Sequence, residues 1–306
     1  MSDPNFYESR RIAAPDGLML HARVYGSAVD PGLPVVCLPG LSRNAADFDP
    51  IAKALAAGAS GCKRRVIAID YRGRGGSDRD SDWRNYSIPV ENADIVALLT
   101  SCEISEAIFI GTSRGGMHIM ALAANRPTFI RGAVLNDIGP VIEAKGLARI
   151  RHYLRHLAAP SSLADGIDYL KKTMSAQFAG LSEADFKAHA RASFEKPDGS
   201  YGITFDQRLV KPFEAINLDE PLPPSWPLFD ALIDVPLLVI RGSNSDILSA
   251  ETLAEMARRH QSCETYIVEG QGHAPLLYDE TSIARIAGFI DRIEKVAESA
   301  QHQNAC

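Results

Sequence analysis

Hydrophobic positions in this chain fall mostly into short unbroken runs, at 33–38, 66–69, 106–110, 132–137, 237–240 and 264–268. A run without polar alternation reads as a strand covered on both faces. Between the runs lie segments of helical spacing, over about 46–57, 89–101, 117–126, 250–259 and 281–297. Ahead of them, alternating runs at 7–13 and 18–25 flank Asp16-Gly17, a strong hairpin signal. Short buried strands alternating with helices predict an α/β fold: a mostly parallel central sheet flanked by helices. Right-handed crossovers then bring the C-terminal strand ends to one edge, where such sheets bind ligands.

The alternation stops between residues 138 and 234. Helical patterns replace it at 144–157, 163–178 and 182–194, followed by the proline-dense Pro221-Leu222-Pro223-Pro224-Ser225-Trp226-Pro227. Ser182-Glu183-Ala184-Asp185 opens the third helix as a near capping box. This predicts a core domain of residues 1–137 and 235–306, with a helical cap, 138–234, inserted after the sixth strand. An elaborated crossover is the alternative.

The candidate chemistry sits at the strand ends. Gly111-Thr112-Ser113-Arg114-Gly115 places Gly-x-Ser-x-Gly between a strand and an Ala-rich helix, the context of a nucleophile elbow. A serine hydroxyl needs a base, and the base needs an orienting acid. His273 is the expected base, because Gly270-Gln271-Gly272-His273 is a flexible loop directly after a strand. Asp246 is the expected acid. It follows the preceding strand in a Gly, Ser and Asn loop and keeps the chain order Ser, Asp, His. Asp137, at the end of the strand after the elbow, is the alternative acid, with turn capping as its other role. Backbone N–H groups of Leu41 and Arg114 are the expected oxyanion donors. Trp226, Phe229 and Leu276 are candidate lining residues of a substrate pocket.

Composition narrows the partners. The chain has 306 residues, 46% hydrophobic and 23% charged, with a net charge of −6. That balance argues against nucleic acid or an anionic membrane as partner and leaves a small-molecule substrate. No apolar run approaches the roughly 18 residues of a membrane span. Residues 1–5 carry no basic stretch leading into an apolar core, so no secretory signal is expected. Five scattered cysteines without a C-x-x-C pair predict reduced thiols in a cytoplasmic protein, without a structural zinc. No metal ligand cluster or organic cofactor motif appears, and a homo-oligomer is left open.

Pro39-Gly40, the segment Asp70-Tyr71-Arg72-Gly73-Arg74-Gly75-Gly76-Ser77-Asp78, the elbow at Ser113, the loop from Gly242 to Asp246, and Gly272-His273 together resemble the α/β-hydrolase fold superfamily. Many members have His-Gly where this chain has Pro39-Gly40. The resemblance implies a triad of Ser113, Asp246 and His273, with Leu41 and Arg114 at the oxyanion. Haloalkane dehalogenases and epoxide hydrolases of this fold use Asp at the elbow, so Ser113 implies an acyl-serine route. The expected function is hydrolysis of a carboxylic ester of small or medium size, without cofactor. Lactone hydrolysis, or carbon–carbon cleavage of aromatic ring-fission products, would use the same triad. A non-catalytic ligand-binding protein of this fold is the opposing reading.

Overall fold

A computed structural model describes residues 6–214, 216–218, 220 and 222–304. The N-terminal residues 1–5, Pro221 of the proline-dense stretch and Cys306 lie outside the described residues. Strands β1 (Glu8–Ala13) and β2 (Met19–Tyr25) pair as an antiparallel hairpin, and Gly17 in its turn takes φ +88°. They are followed by β3 (Gly32–Leu38), β4 (Arg64–Asp70), β5 (Ala107–Thr112), β6 (Ile130–Asn136), β7 (Leu237–Gly242) and β8 (Cys263–Val268). The eight strands form one sheet in the order β1-β2-β4-β3-β5-β6-β7-β8. β2 meets β4 antiparallel, and every pairing from β4 to β8 is parallel.

The unbroken apolar runs have a direct cause. Val36, Ile67, Phe109, Leu135 and Val239 enter one core cluster, while their neighbours Val35, Val66, Ile108, Val134 and Leu238 enter a second on the opposite face. Both faces are covered, so neither register of side chains needs to be polar. Part of the coverage comes from helices α1 (Asp49–Ala56), α2 (Ile88–Ser101) and α3 (Arg114–Asn125) between the early strands.

Among the described residues, five α-helices lie between β6 and β7: α4 (Ala144–His156), α5 (Leu163–Met174), α6 (Glu183–Phe194), α7 (Lys211–Glu214) and α8 (Trp226–Asp230). The chain then adds α9 (Ala250–Arg259) and ends in α10 (Glu280–Asn304). Leu154, Leu170, Phe186, Phe194 and Leu209 of the inserted segment form a third apolar cluster, against which Leu41 of the loop after β3 packs. Ser182 and Asp185 make the full reciprocal capping box at the start of α6. The end of the insertion behaves differently. Phe229 and Leu232 are buried in the main core cluster, beside residues of β6 and β7.

Candidate active site

β5 passes into α3 through a single residue, Ser113, whose φ and ψ are +52° and −113°. This left-handed conformation is costly for a residue with a side chain. Its surroundings impose it. A Cβ on Gly111 would lie 2.5 Å from the Gly115 carbonyl carbon, and one on Gly115 would lie 2.0 Å from the Leu38 carbonyl oxygen. Only glycine fits either position, which explains the Gly-x-Ser-x-Gly spacing in packing terms.

His273 follows β8, and its Nε2 lies 2.9 Å from Ser113 Oγ. The opposite ring nitrogen, Nδ1, lies 2.8 Å from Asp137 Oδ2. The histidine loop is tied down on two sides. Asn136 Nδ2 donates to the Pro275 carbonyl at 2.9 Å, and the Asn244 N–H donates to the Gln271 carbonyl at 3.0 Å. Ser113, His273 and Asp137 therefore form a continuous hydrogen-bonded chain across three strand ends.

The expected placement of Asp246 is corrected by this geometry. Asp246 turns to the inserted segment, where Arg149 Nε and Nη2 of α4 donate to its two carboxylate oxygens at 2.7 and 2.8 Å. Burial alone would raise its pKa, and Arg149 more than offsets that, so the carboxyl is held below its ordinary value. The loop that carries Asp246 instead donates to Asp137. Gly242 N–H donates to Asp137 Oδ1 at 2.9 Å, and Ser245 Oγ donates to Oδ2 at 2.6 Å. Asp137 has no exposed surface and takes φ +59°, which aims its carboxylate sideways across β7 toward β8. The signal for this was Asn136-Asp137 at a strand end, with Gly242 and Ser245 three residues apart as donors.

Leu41 and Arg114 both stand at the elbow. Arg114 opens α3, where helix N–H groups point outward without intrahelical partners. The loop bearing Leu41 approaches closely, since a Cβ on Gly40 would lie 3.9 Å from the Ser113 Cβ. The Leu41 carbonyl accepts from Arg74 Nε at 2.8 Å.

Ser113 and His273 open into a cavity of about 480 Å³ that Leu41 also lines. Of the three expected pocket residues, Leu276 lines it. Trp226 and Phe229 do not. Phe229 is core, and Trp226 stands edge-on to it with the Arg259 guanidinium 3.9 Å over its ring. The inserted segment contributes α4 and α5 instead, through Ile150, Tyr153, Tyr169 and Leu170. Arg43, which sequence reasoning passed over, also lines the cavity. Its Nε donates to Asp47 at 2.7 Å, and it reaches the cap at Ser193 Oγ and at His189 Nδ1, the latter 3.3 Å away. Burial, reinforced by Arg43, pushes the His189 pKa well below its ordinary value. Among the described residues, no group of three or more His, Cys, Asp or Glu side chains is placed to hold a metal ion. None of their helices is long and apolar enough to cross a membrane.

Comparison with known proteins agrees with this architecture. The model of the Alpha/beta hydrolase family matches residues 35–287. A 3-hydroxybutyrate-oligomer hydrolase of Cupriavidus necator is 34% identical over 277 residues, covering 87% of this chain and 91% of that protein. A 2-(acetamidomethylene)succinate hydrolase of Mesorhizobium japonicum is 25% identical, covering 82% and 86%. Among solved structures, an alpha/beta hydrolase from Novosphingobium aromaticivorans superposes with a TM-score of 0.84 at 37% identity, covering 95% of this chain and all of that one.

Proposed function

This chain belongs to the alpha/beta hydrolase family, and on that premise we propose that it hydrolyses carboxylic esters of small or medium size through an acyl-serine intermediate. The observation that carries the reading is the chain Ser113–His273–Asp137, at 2.9 and 2.8 Å, at the wall of a 480 Å³ cavity. His273 Nε2 takes the Ser113 hydroxyl proton as Oγ attacks the ester carbonyl. Asp137 holds Nδ1–H, fixes the tautomer and stabilises the imidazolium that forms. The N–H groups of Leu41 and Arg114 receive the oxyanion, a contribution worth about 10²–10³ in rate per donor. His273 then protonates the leaving alcohol, and water, activated by the same nitrogen, releases the acid.

The insertion, residues 138–234, supplies a cap whose α4 and α5 line this site and set which acyl group fits. The lining is mixed: Leu170, Ile150 and Leu276 are apolar, while Tyr153 and Arg43 offer polar groups. That suits a short acyl chain bearing a polar substituent. The Cupriavidus necator relative supports it, because an oligomer of 3-hydroxybutyrate is a chain of carboxylic esters. This likeness favours the ester over the lactone and carbon–carbon alternatives. The scattered thiols support a cytoplasmic location.

The test is hydrolysis of nitrophenyl esters of two to eight acyl carbons, and of the linear dimer and trimer of 3-hydroxybutyrate, by the purified protein. Turnover of short esters and of the dimer is expected. No turnover of any ester, beside cleavage of a lactone or a ring-fission product, would overturn the reading.

A further inference from the structure

Behind the nucleophile, buried charges converge on a single carboxylate. Glu91, near the start of α2, is completely buried. Its Oε1 accepts from Arg74 Nη1 at 2.7 Å, and its Oε2 accepts from Arg114 Nε at 2.7 Å. His118 Nε2, from α3, lies 3.0 Å from the same Oε2. Each arginine leads on to a backbone position beside Ser113. Arg74 Nε donates to the Leu41 carbonyl at 2.8 Å, and Arg74 Nη1 also donates to the Arg72 carbonyl at 2.7 Å. Arg114 is itself the first residue of α3, and its Nη2 donates to the Tyr86 carbonyl at 3.2 Å.

We infer that Glu91 is a positioning residue for both oxyanion donors, holding Leu41 through Arg74 and Arg114 through its guanidinium. The inference rests on the reading of Ser113 as an acyl nucleophile. Its physical ground is the cost of the arrangement. Burying a carboxylate with two guanidiniums costs several kcal/mol in desolvation, and an apolar cluster of similar volume would serve the fold as well or better. What the ionic cluster adds is direction, because bidentate and charge-assisted bonds fix geometry more tightly than apolar packing. Burial pushes the His118 pKa down to about 4, so the ring is neutral at pH 7. Its Nε2 lies 3.0 Å from Glu91 Oε2, and its Nδ1 lies 2.6 Å from Asn92 Oδ1. Burial alone would raise the Glu91 pKa, but Arg74 and Arg114 overturn that and hold it well below the usual carboxylate range. Within this cluster one carboxylate faces two guanidiniums, of which Arg114 stands at the elbow itself.

Glu91→Gln keeps the side-chain shape and removes the charge. Asp94→Asn is the control, because Asp94 is equally a buried carboxylate paired to an arginine, Arg72, and touches neither donor residue. The measurements are kcat and KM for nitrophenyl butyrate per folded protein. Alongside them come the affinities of a trifluoromethyl ketone, which forms an oxyanion on Ser113, and of an ether of the same length, which does not. Glu91→Gln is expected to lower kcat and trifluoromethyl ketone affinity together, by about 10- to 100-fold, with KM and ether affinity within about twofold. Asp94→Asn is expected to lower the melting temperature while kcat stays within about twofold. If Glu91→Gln does not fold, Arg114→Gln, which keeps the backbone N–H and cuts one arm, is expected to show the same split at smaller size. The inference is overturned if the folded variants keep wild-type kcat, lose ketone and ether affinity equally, or match Asp94→Asn. Ester turnover that survives Ser113→Ala would instead remove the reading on which it rests.

Discussion

Asp137 and His273 stand 136 residues apart in the chain and meet at 2.8 Å, with Asp137 Oδ2 facing the ring Nδ1. Asp246 is occupied by Arg149. This separates two carboxylates that follow adjacent strands. Asp137→Asn is expected to lower kcat by about 10⁴-fold, as loss of the orienting acid leaves the wrong tautomer. Asp246→Asn removes a cap-to-core ion pair whose arginine is 40% exposed. It is expected to change kcat by no more than about fivefold, the equivalent of at most about 1 kcal/mol. Steady-state kinetics of the two variants decide the matter, and a dead Asp246→Asn beside an active Asp137→Asn would reverse the assignment.

Leu276 lines the cavity and Trp226 does not. Leu276→Ala is therefore expected to shift the ratio of kcat/KM between eight-carbon and four-carbon esters about tenfold toward the longer chain, the scale of a few methylenes in a pocket. Trp226→Ala should leave that ratio unchanged. It loses the ring under Arg259 and the edge contact with Phe229, and is expected to cost about 1–3 kcal/mol of stability instead. Chain-length profiles and urea melts of both variants check this, and a changed profile in Trp226→Ala alone would contradict it.

The buried histidine behind the elbow makes stability depend on pH in a definite direction. His118 has a folded pKa of about 4 against an ordinary 6.5. Between those values the unfolded chain binds the proton and the folded protein does not, so stability falls as pH is lowered. His189 is depressed in the same sense. A fully realised shift on His118 corresponds to about 3 kcal/mol. Above pH 4.5 the carboxylates contribute little, so the urea midpoint between pH 7 and pH 5 isolates the histidines. His118→Gln is expected to flatten that slope, and an unchanged slope would show that His118 is already charged in the folded protein.

Gly115 faces the Leu38 carbonyl, where an added Cβ would sit at 2.0 Å. That atom belongs to a central strand and cannot retreat. Gly115→Ala is expected to destabilise by about 3 kcal/mol or more. Yield of folded protein and melting temperature measure it, and a wild-type melting temperature would mean that the elbow relaxes.

Much of this molecule is legible in its residues. The parallel sheet shows in apolar runs such as Val35 to Leu38, because burial on both faces removes alternation. Ser113 and His273 show because strand-to-helix and strand-to-loop transitions need glycine there. The partner of His273 is not legible in the sequence, because two carboxylates, Asp137 and Asp246, leave adjacent strands at the same edge. Their directions depend on φ at Asp137 and on partners 97 or more residues away. Gly242, Ser245 and Arg149 settle that competition, and no local pattern encodes all three. The same holds for the cavity lining. Trp226 and Phe229 lie in the inserted segment, yet that part of it folds back into the core. Glu91 carries no sequence signal, because its partners Arg74, Arg114 and His118 come from other segments.

The most direct measurement is intact-protein and peptide mass spectrometry after rapid quenching with nitrophenyl butyrate. A butyryl group on the peptide carrying Ser113, formed in a burst with nitrophenol and absent from Ser113→Ala, is the result expected for the acyl-serine route. Full turnover by Ser113→Ala, or an acyl group on another residue, would contradict it.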